Sequence, residues 1–168
     1  MRVGILSDSH GDAEITARAV ALLEARGAER LFHCGDLCGE QVLDELAGHA
    51  SRFVWGNCDA PSPTLRRYVK DLGLSWPQMP VRFRLAGIHI ALYHGHESGF
   101  DAISPKTGLD YCFHGHTHRY ADYREHGCRF INPGALHRAP IHTVAILDLT
   151  TGECTFLQVE TGEMVQIG

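Results

Sequence analysis

Residues 2–36 read RVGILSDSHGDAEITARAVALLEARGAERLFHCGD, and their pattern decides the architecture. Residues 2–6 form a short apolar run that stops at the polar tip SDSHGD. Ile15, Ala19, Leu22, Leu23 and Arg26 then recur at helical spacing over residues 12–26, with Asp12 placed to cap the first turn and Gly27 to end the last. A second apolar run, residues 30–34, ends in another polar tip, GDLCGE. Strand, helix and strand in this order predict a right-handed crossover and a parallel pair. The polar tips then share the carboxyl edge, where open α/β sheets place their functional groups.

The unit repeats. Residues 52–55 run into GNCDAP, while residues 40–47 (Val42, Leu43, Leu46) and 64–72 (Leu65, Tyr68, Val69, Leu72) carry helical stripes. The first half therefore reads βαβαβα. From Pro80 the period shortens. VRFRL (81–85) and IHIALYH (88–94) alternate around Ala86-Gly87, and VAILDL (144–149) and CTFLQV (154–159) flank residues 150–153, two hairpin signals. LDYCFHGH (109–116) and CRFIN (128–132) add two strands. The expected fold is α/β, a four-layer αββα sandwich with two facing mixed β-sheets flanked by helices. Its second half should pair mostly antiparallel, in a single domain over residues 1–168.

With 44% hydrophobic and 21% charged residues and no low-complexity tract, the chain has the composition of a soluble globular protein. No apolar run approaches the roughly 18 residues of a membrane span, and acid arrives at Asp8, too early for a signal peptide. The expectation is a cytoplasmic protein with no membrane partner. Cys34, Cys38, Cys58, Cys112, Cys128 and Cys154 then read as reduced thiols rather than a disulfide framework. The formal charge of -5 argues against binding a nucleic-acid polymer. Twelve histidines are many for this length, and their positions matter more than their number.

Five of the strands end in polar tips: DSH with Asp8 and His10, GD with Asp36, GNCD with Asn57, Cys58 and Asp59, HGH with His94 and His96, and GHTH with His116 and His118. Singly, each reads as ordinary loop chemistry: solvated polars, a Gly-Asp turn, surface or capping histidines. Together, their carboxylate, amide and imidazole donors make a mixed N/O set that suits Mn, Fe, Co, Ni or Zn rather than an all-oxygen Ca or Mg cage. A two-metal centre is the natural outcome. Period-two projection from a strand would aim Asp8 with His10, and His116 with His118, at one point.

The ordered set DSH, GD, GNCD, HGH and GHTH resembles the calcineurin-like metallophosphoesterases. The short length, GNCD and a later INPGA are similar to their YfcE-type phosphodiesterase branch, and the likeness spans residues 8–135. It implies a dinuclear centre of divalent transition-metal ions at the sheet edges. Asp8, His10 and His118 would hold one ion, Asn57, His94 and His116 the other, and Asp36 would bridge them. Mn is favoured, with Ni, Co, Fe or Zn as alternatives. The implied reaction is hydrolysis of a small phosphodiester, of undefined physiological identity, by in-line attack of a hydroxide bridging cations roughly 3.5–4 Å apart. The resemblance is also compatible with a homodimer or homotetramer. Competing readings are a phosphomonoesterase and a non-catalytic protein-binding scaffold, the use a retromer subunit makes of this fold. The full set of donor types favours the enzyme.

After the motif asparagine the family usually has histidine; here, as in the YfcE-type branch, Cys58 follows. A thiol with an ordinary pKa of about 8.5 is a weak, uncharged donor. General-acid help worth ~10²–10⁴ in rate is reduced, and diesters with good leaving groups suffer least. Asp59 is expected to orient Asn57 or a neighbouring histidine. His96 and Arg119 are candidates for phosphate contact, and His89, His114, His137 and His142 for strand-surface or core packing. Cys34 and Cys38 flank Gly35-Asp36, but without a second such pair they are not expected to form a structural zinc site.

Overall fold

The computed structural model describes residues 1–166. Its first half is β1 (Arg2–Leu6), α1 (Ala13–Ala25), β2 (Arg30–His33), α2 (Glu40–Asp44), β3 (Ser51–Phe53) and α3 (Pro63–Asp71), with β1, β2 and β3 side by side and parallel. Asp12 caps α1 by accepting the Ile15 N–H at 3.2 Å, and Ser62 caps α3 through the Leu65 N–H at 3.1 Å. α2 ends at Asp44, short of residue 47.

The second half contains β4 (Val81–Leu85), β5 (Ile88–Leu92), a four-residue α4 (Ser98–Asp101), a 3-10 turn (Pro105–Thr107), β6 (Tyr111–Phe113), β7 (Ala121–Glu125), β8 (Cys128–Asn132), β9 (Thr143–Asp148), β10 (Cys154–Gln158) and β11 (Met164–Val165). β9 returns to the first sheet and pairs antiparallel with β1, Val3 opposite Leu147. One sheet therefore runs β11-β10-β9-β1-β2-β3 and the other β4-β5-β6-β8-β7. Both expected hairpins form, β4 with β5 and β9 with β10. The centre of the second sheet is parallel, β5 with β6 and β6 with β8.

Strand alternation sorts the core into three apolar layers. Val3, Ile5, Phe32, Ala145 and Leu147 meet Ile90, Leu92, Phe113 and Ile131 between the sheets. On the opposite face of the first sheet, Leu6, Leu31, Val144 and Ile146 pack on Ile15, Ala19 and Leu23 of α1 and Val42 and Leu43 of α2. Ala91, Cys112 and Phe130 cover the outer face of the second sheet with Ile103 and Phe100. Each fully buried Leu, Ile or Phe in these layers contributes about 1.5–3 kcal/mol. The result is helix, sheet, sheet, and a thin outer helical layer. All six cysteines are free, and no described helix is long and apolar enough to cross a membrane.

Candidate metal centre

The carboxyl ends of β1, β2, β3, β5 and β6 meet along one edge, where backbone hydrogen bonds lace their loops together. Asp8 N–H donates to Gly35 O at 3.0 Å, His10 N–H to Asp36 O at 2.9 Å and Gly11 N–H to Leu37 O at 2.7 Å, prolonging the parallel ladder past the strand ends. Leu136 N–H reaches Ser7 O at 3.2 Å, and Gly115 N–H reaches His94 O at 2.9 Å. Two glycines permit this closeness. A methyl group on Gly56 would overlap the Asp36 carboxylate, and one on Gly115 would overlap Ser7 Oγ.

Strand alternation does not aim the paired residues, contrary to expectation. Asp8 and His10 lie beyond the end of β1, and His116 and His118 beyond the end of β6. All four, with Asp36, adopt left-handed backbone, at φ 56°, 45°, 69°, 56° and 54° respectively. Non-glycine residues rarely take this conformation, and such strain gathers where side chains are forced to converge.

Asp8 is fully buried. One carboxylate oxygen accepts the His116 N–H at 3.1 Å, while Oδ1 has no hydrogen-bond partner among the described residues. That oxygen faces His118 Nε2 at 3.2 Å and His94 Nε2 at 4.0 Å. Burial pushes the Asp8 carboxyl up, against the pull of Ser7, His94 and His118. Burial also pushes Asp36 upward, but the Cys58 N–H at 2.8 Å, His94 and His10 outweigh it and hold that carboxyl below its ordinary range. Asp36 Oδ2 stands 3.4 Å from His94 Nε2 and 3.5 Å from His10 Nε2.

The tautomer of His94 follows from its partner. Nδ1 lies 2.8 Å from Cys34 O, a carbonyl that can only accept, so Nδ1 donates and Nε2 presents a lone pair to Asn57 Oδ1 at 3.1 Å. His118 Nδ1 likewise donates to Arg138 O at 3.4 Å, which leaves its Nε2 facing His10 Nε2 at 3.4 Å. Burial pushes His10 down, against Asp36 and Asp8, toward the neutral form that ligates metal. The lone pairs of His94 and His118 thus confront carboxylate and amide oxygens, an arrangement that a cation would satisfy. Asp8, His10 and His118, and separately Asp8, Asp36 and His94, each bring ligand atoms within 4.8 Å of one another.

The other expected residues divide. Asn57 Oδ1 is at the centre, and the His116 ring is 5.0 Å from that of His94. His96 is exposed, 5.3 Å from His94 and 6.1 Å from His116 between ring centres. Cys58 is exposed, its thiol held above the ordinary range by a hydrogen bond to Asp36. Asp59 does not bind Asn57 or a histidine. Its carboxylate accepts the Gly56 and Cys38 N–H groups, both at 2.7 Å, and so clamps the third loop to the second. Arg119 contributes its N–H to Thr117 Oγ1 at 3.4 Å, whereas the charge of Arg138 is the one felt by Cys58. His114 packs as expected, buried on Phe100 and pushed down to about 4 by burial. His137 instead sits beside the centre, its ring 5.6 Å from His10.

Two supports, one of them within the INPGA motif, had no role foreseen from the sequence. Glu97 accepts the His94 and Gly95 N–H groups at 2.9 and 2.7 Å. Asn132, within INPGA, donates to Gly115 O at 2.8 Å and Thr117 Oγ1 at 3.0 Å, holding the loop of His116 and His118.

Comparison with known proteins agrees with this fold. A family model described as the calcineurin-like phosphoesterase superfamily domain matches residues 1–152. Phosphodiesterase MJ0936 of Methanocaldococcus jannaschii is 26% identical over 154 residues, which cover 88% of this chain and 93% of that protein. A solved structure of an archaeal phosphodiesterase superposes with a TM-score of 0.82 at 25% identity, covering 94% of this chain and 99% of that one. The phosphoesterase YfcE from E. coli shares the fold at a TM-score of 0.75 and 22% identity, with coverage of 99% and 97%.

Proposed function

Because the chain belongs to the calcineurin-like phosphoesterase superfamily, we propose that it is a divalent-metal-dependent phosphodiesterase, a single domain acting on a small soluble phosphodiester. The observation that supports this most directly is Asp8, a wholly buried carboxylate with one oxygen unpartnered and turned toward imidazole nitrogens. An unpaired buried anion costs several kcal/mol, and a bound cation offsets that cost. Asp8, His10 and His118 would hold one ion, and Asn57, His94 and His116 the other, with Asp36 between them. This donor set suits Mn2+, with Ni, Co, Fe or Zn as alternatives. When bound, such ions supply Lewis acidity toward a phosphoryl oxygen and lower the pKa of water toward neutrality.

The chain's own groups do the rest. The hydrogen bonds from His94 to Cys34 O and from His118 to Arg138 O fix which nitrogen of each ring faces the site. Asp59 and Glu97 hold the loops in register. His96, exposed beside His94 and His116, would hydrogen-bond a phosphoryl oxygen. Cys58 offers a leaving alkoxide only a weak proton donor, which favours diesters with good leaving groups over monoesters. A protein-binding scaffold on the same fold would not need these donors, and here all seven donor residues are present. Stripping the protein of metal and assaying an activated aryl diester and the matching monoester with Mn2+, Ni2+, Co2+ and Mg2+ tests the proposal. Metal-dependent turnover greater on the diester is expected. Absence of metal-dependent turnover on both substrates would leave the scaffold.

A further inference from the structure

Cys38 and Cys58 come from different loops, yet they meet over His10. Their sulfurs and one ring nitrogen of His10 all lie within 4.8 Å of one another. Cys38 Sγ is 3.8 Å from His10 Nδ1, while His10 turns its other nitrogen, Nε2, toward Asp36 and His118. Both thiols are free and exposed, and they line one open cleft with Asp59 and Trp55. Lacing of the loops enforces the meeting, since His10 N–H binds Asp36 O and Asp59 takes the Cys38 N–H.

A tetrahedral zinc ion with thiolates at about 2.3 Å and imidazole at about 2.0–2.1 Å needs ligand atoms about 3.5–3.8 Å apart. Exposed side chains reach that spacing from the observed one by small rotations. Thiolates select soft ions and reject Mn2+ or Mg2+, whereas the neighbouring carboxylate, amide and imidazole donors accept harder ones. The carboxylates of Asp36 and Asp59, hydrogen-bonded to the backbone of Cys58 and Cys38, add negative potential that draws a cation in.

We infer that Cys38, Cys58 and His10 Nδ1 form a separate thiophilic cation site, for Zn2+, at the mouth of the phosphoesterase centre. Binding makes two metal–sulfur bonds and one metal–nitrogen bond, releases to solvent the two thiol protons and, while His10 Nε2 holds the neighbouring ion, the His10 Nδ1 proton as well, and leaves the fourth position open to the cleft. A cation there covers Cys58 and draws on His10, so it inhibits turnover. Inhibition rests on the phosphodiesterase reading; occupancy does not.

Cadmium titration of reduced, Mn2+-loaded protein reads the site through the ultraviolet thiolate-to-metal charge-transfer band. One thiolate-bound equivalent is expected. Cys38→Ser should weaken it by more than the ~10–100-fold that an outer partner costs, keep wild-type Mn2+-dependent turnover, and lose inhibition by Zn2+. No band at saturating Cd2+ in protein whose thiols are verified as reduced would overturn the site, and so would an unchanged band in Cys38→Ser. A band that Cys38→Ser abolishes, in protein inactive with every metal, supports the site and removes only the phosphodiesterase reading.

Discussion

Asp8 is held where no water reaches it and one of its oxygens has no partner, so without metal it weakens the fold that contains it. Asp8→Asn keeps an acceptor for the His116 N–H and removes the charge. The metal-free variant is expected to be more stable than metal-free wild type by about 1–3 kcal/mol. It should also lose the rise in melting temperature that Mn2+ gives wild type. Thermal melts with and without Mn2+ decide this, and a variant that melts lower than wild type without metal contradicts the account of Asp8. At Cys58 the prediction concerns selectivity. Cys58→His restores a donor able to carry positive charge, and should raise monoester turnover relative to diester by about 10-fold or more, within the range of general-acid effects. An unchanged ratio would remove the role given to the thiol.

The elements supply the strands, but the loops between them carry the site, and two carboxylates hold those loops by accepting backbone N–H groups. Glu97→Gln keeps one acceptor oxygen of two, so either the His94 or the Gly95 N–H loses its partner. Activation by Mn2+ should require about 10–100-fold more metal, the cost typical of an outer-shell change, with the circular dichroism spectrum unchanged. Equal Mn2+ dependence in variant and wild type would mean that the loop holds itself. At this scale legibility was uneven. β1, β2, β5 and β9 are buried strands with apolar runs, and the sequence marks them. β7, reading ADYRE, lies at a sheet edge with its residues half-buried or exposed, and shows no apolar alternation to find. The roles of Asp59 and Glu97 were illegible for a related reason. A carboxylate bound to backbone N–H groups of a neighbouring loop leaves no periodic trace.

Across the whole molecule, two buried histidines tie stability to pH. His33 is fully buried, and its Nδ1 accepts the Gly35 N–H at 3.3 Å, so Nε2 donates to Ser9 Oγ at 2.8 Å. Burial pushes His33 down to about 3 and His114 to about 4. Both stay neutral in the fold, whereas in the unfolded chain each takes up a proton near pH 6.5. Between those values the unfolded state holds more protons, so stability is fully present above about pH 6.5 and declines as pH falls, by about 1.4 kcal/mol per unit for each group. Melting of the metal-free protein should therefore drop between pH 6.5 and 4. His33→Gln, which keeps a donor toward Ser9, should reduce the slope by roughly one group's share. Equal slopes in the two proteins would show that His33 does not titrate in the unfolded chain alone.

The sequence alone determined the βαβαβα half, both hairpins and the five donor-bearing tips, because hydrophobic period, caps and turn residues are local properties of the chain. Only the tertiary structure decided that β9 returns beside β1, that left-handed loops rather than strand alternation aim the ligands, and that Asp59 clamps a backbone. It alone brought Cys38 to Cys58 over His10. Each of these depends on contacts between segments far apart in sequence, which pack against one another through space and share no period.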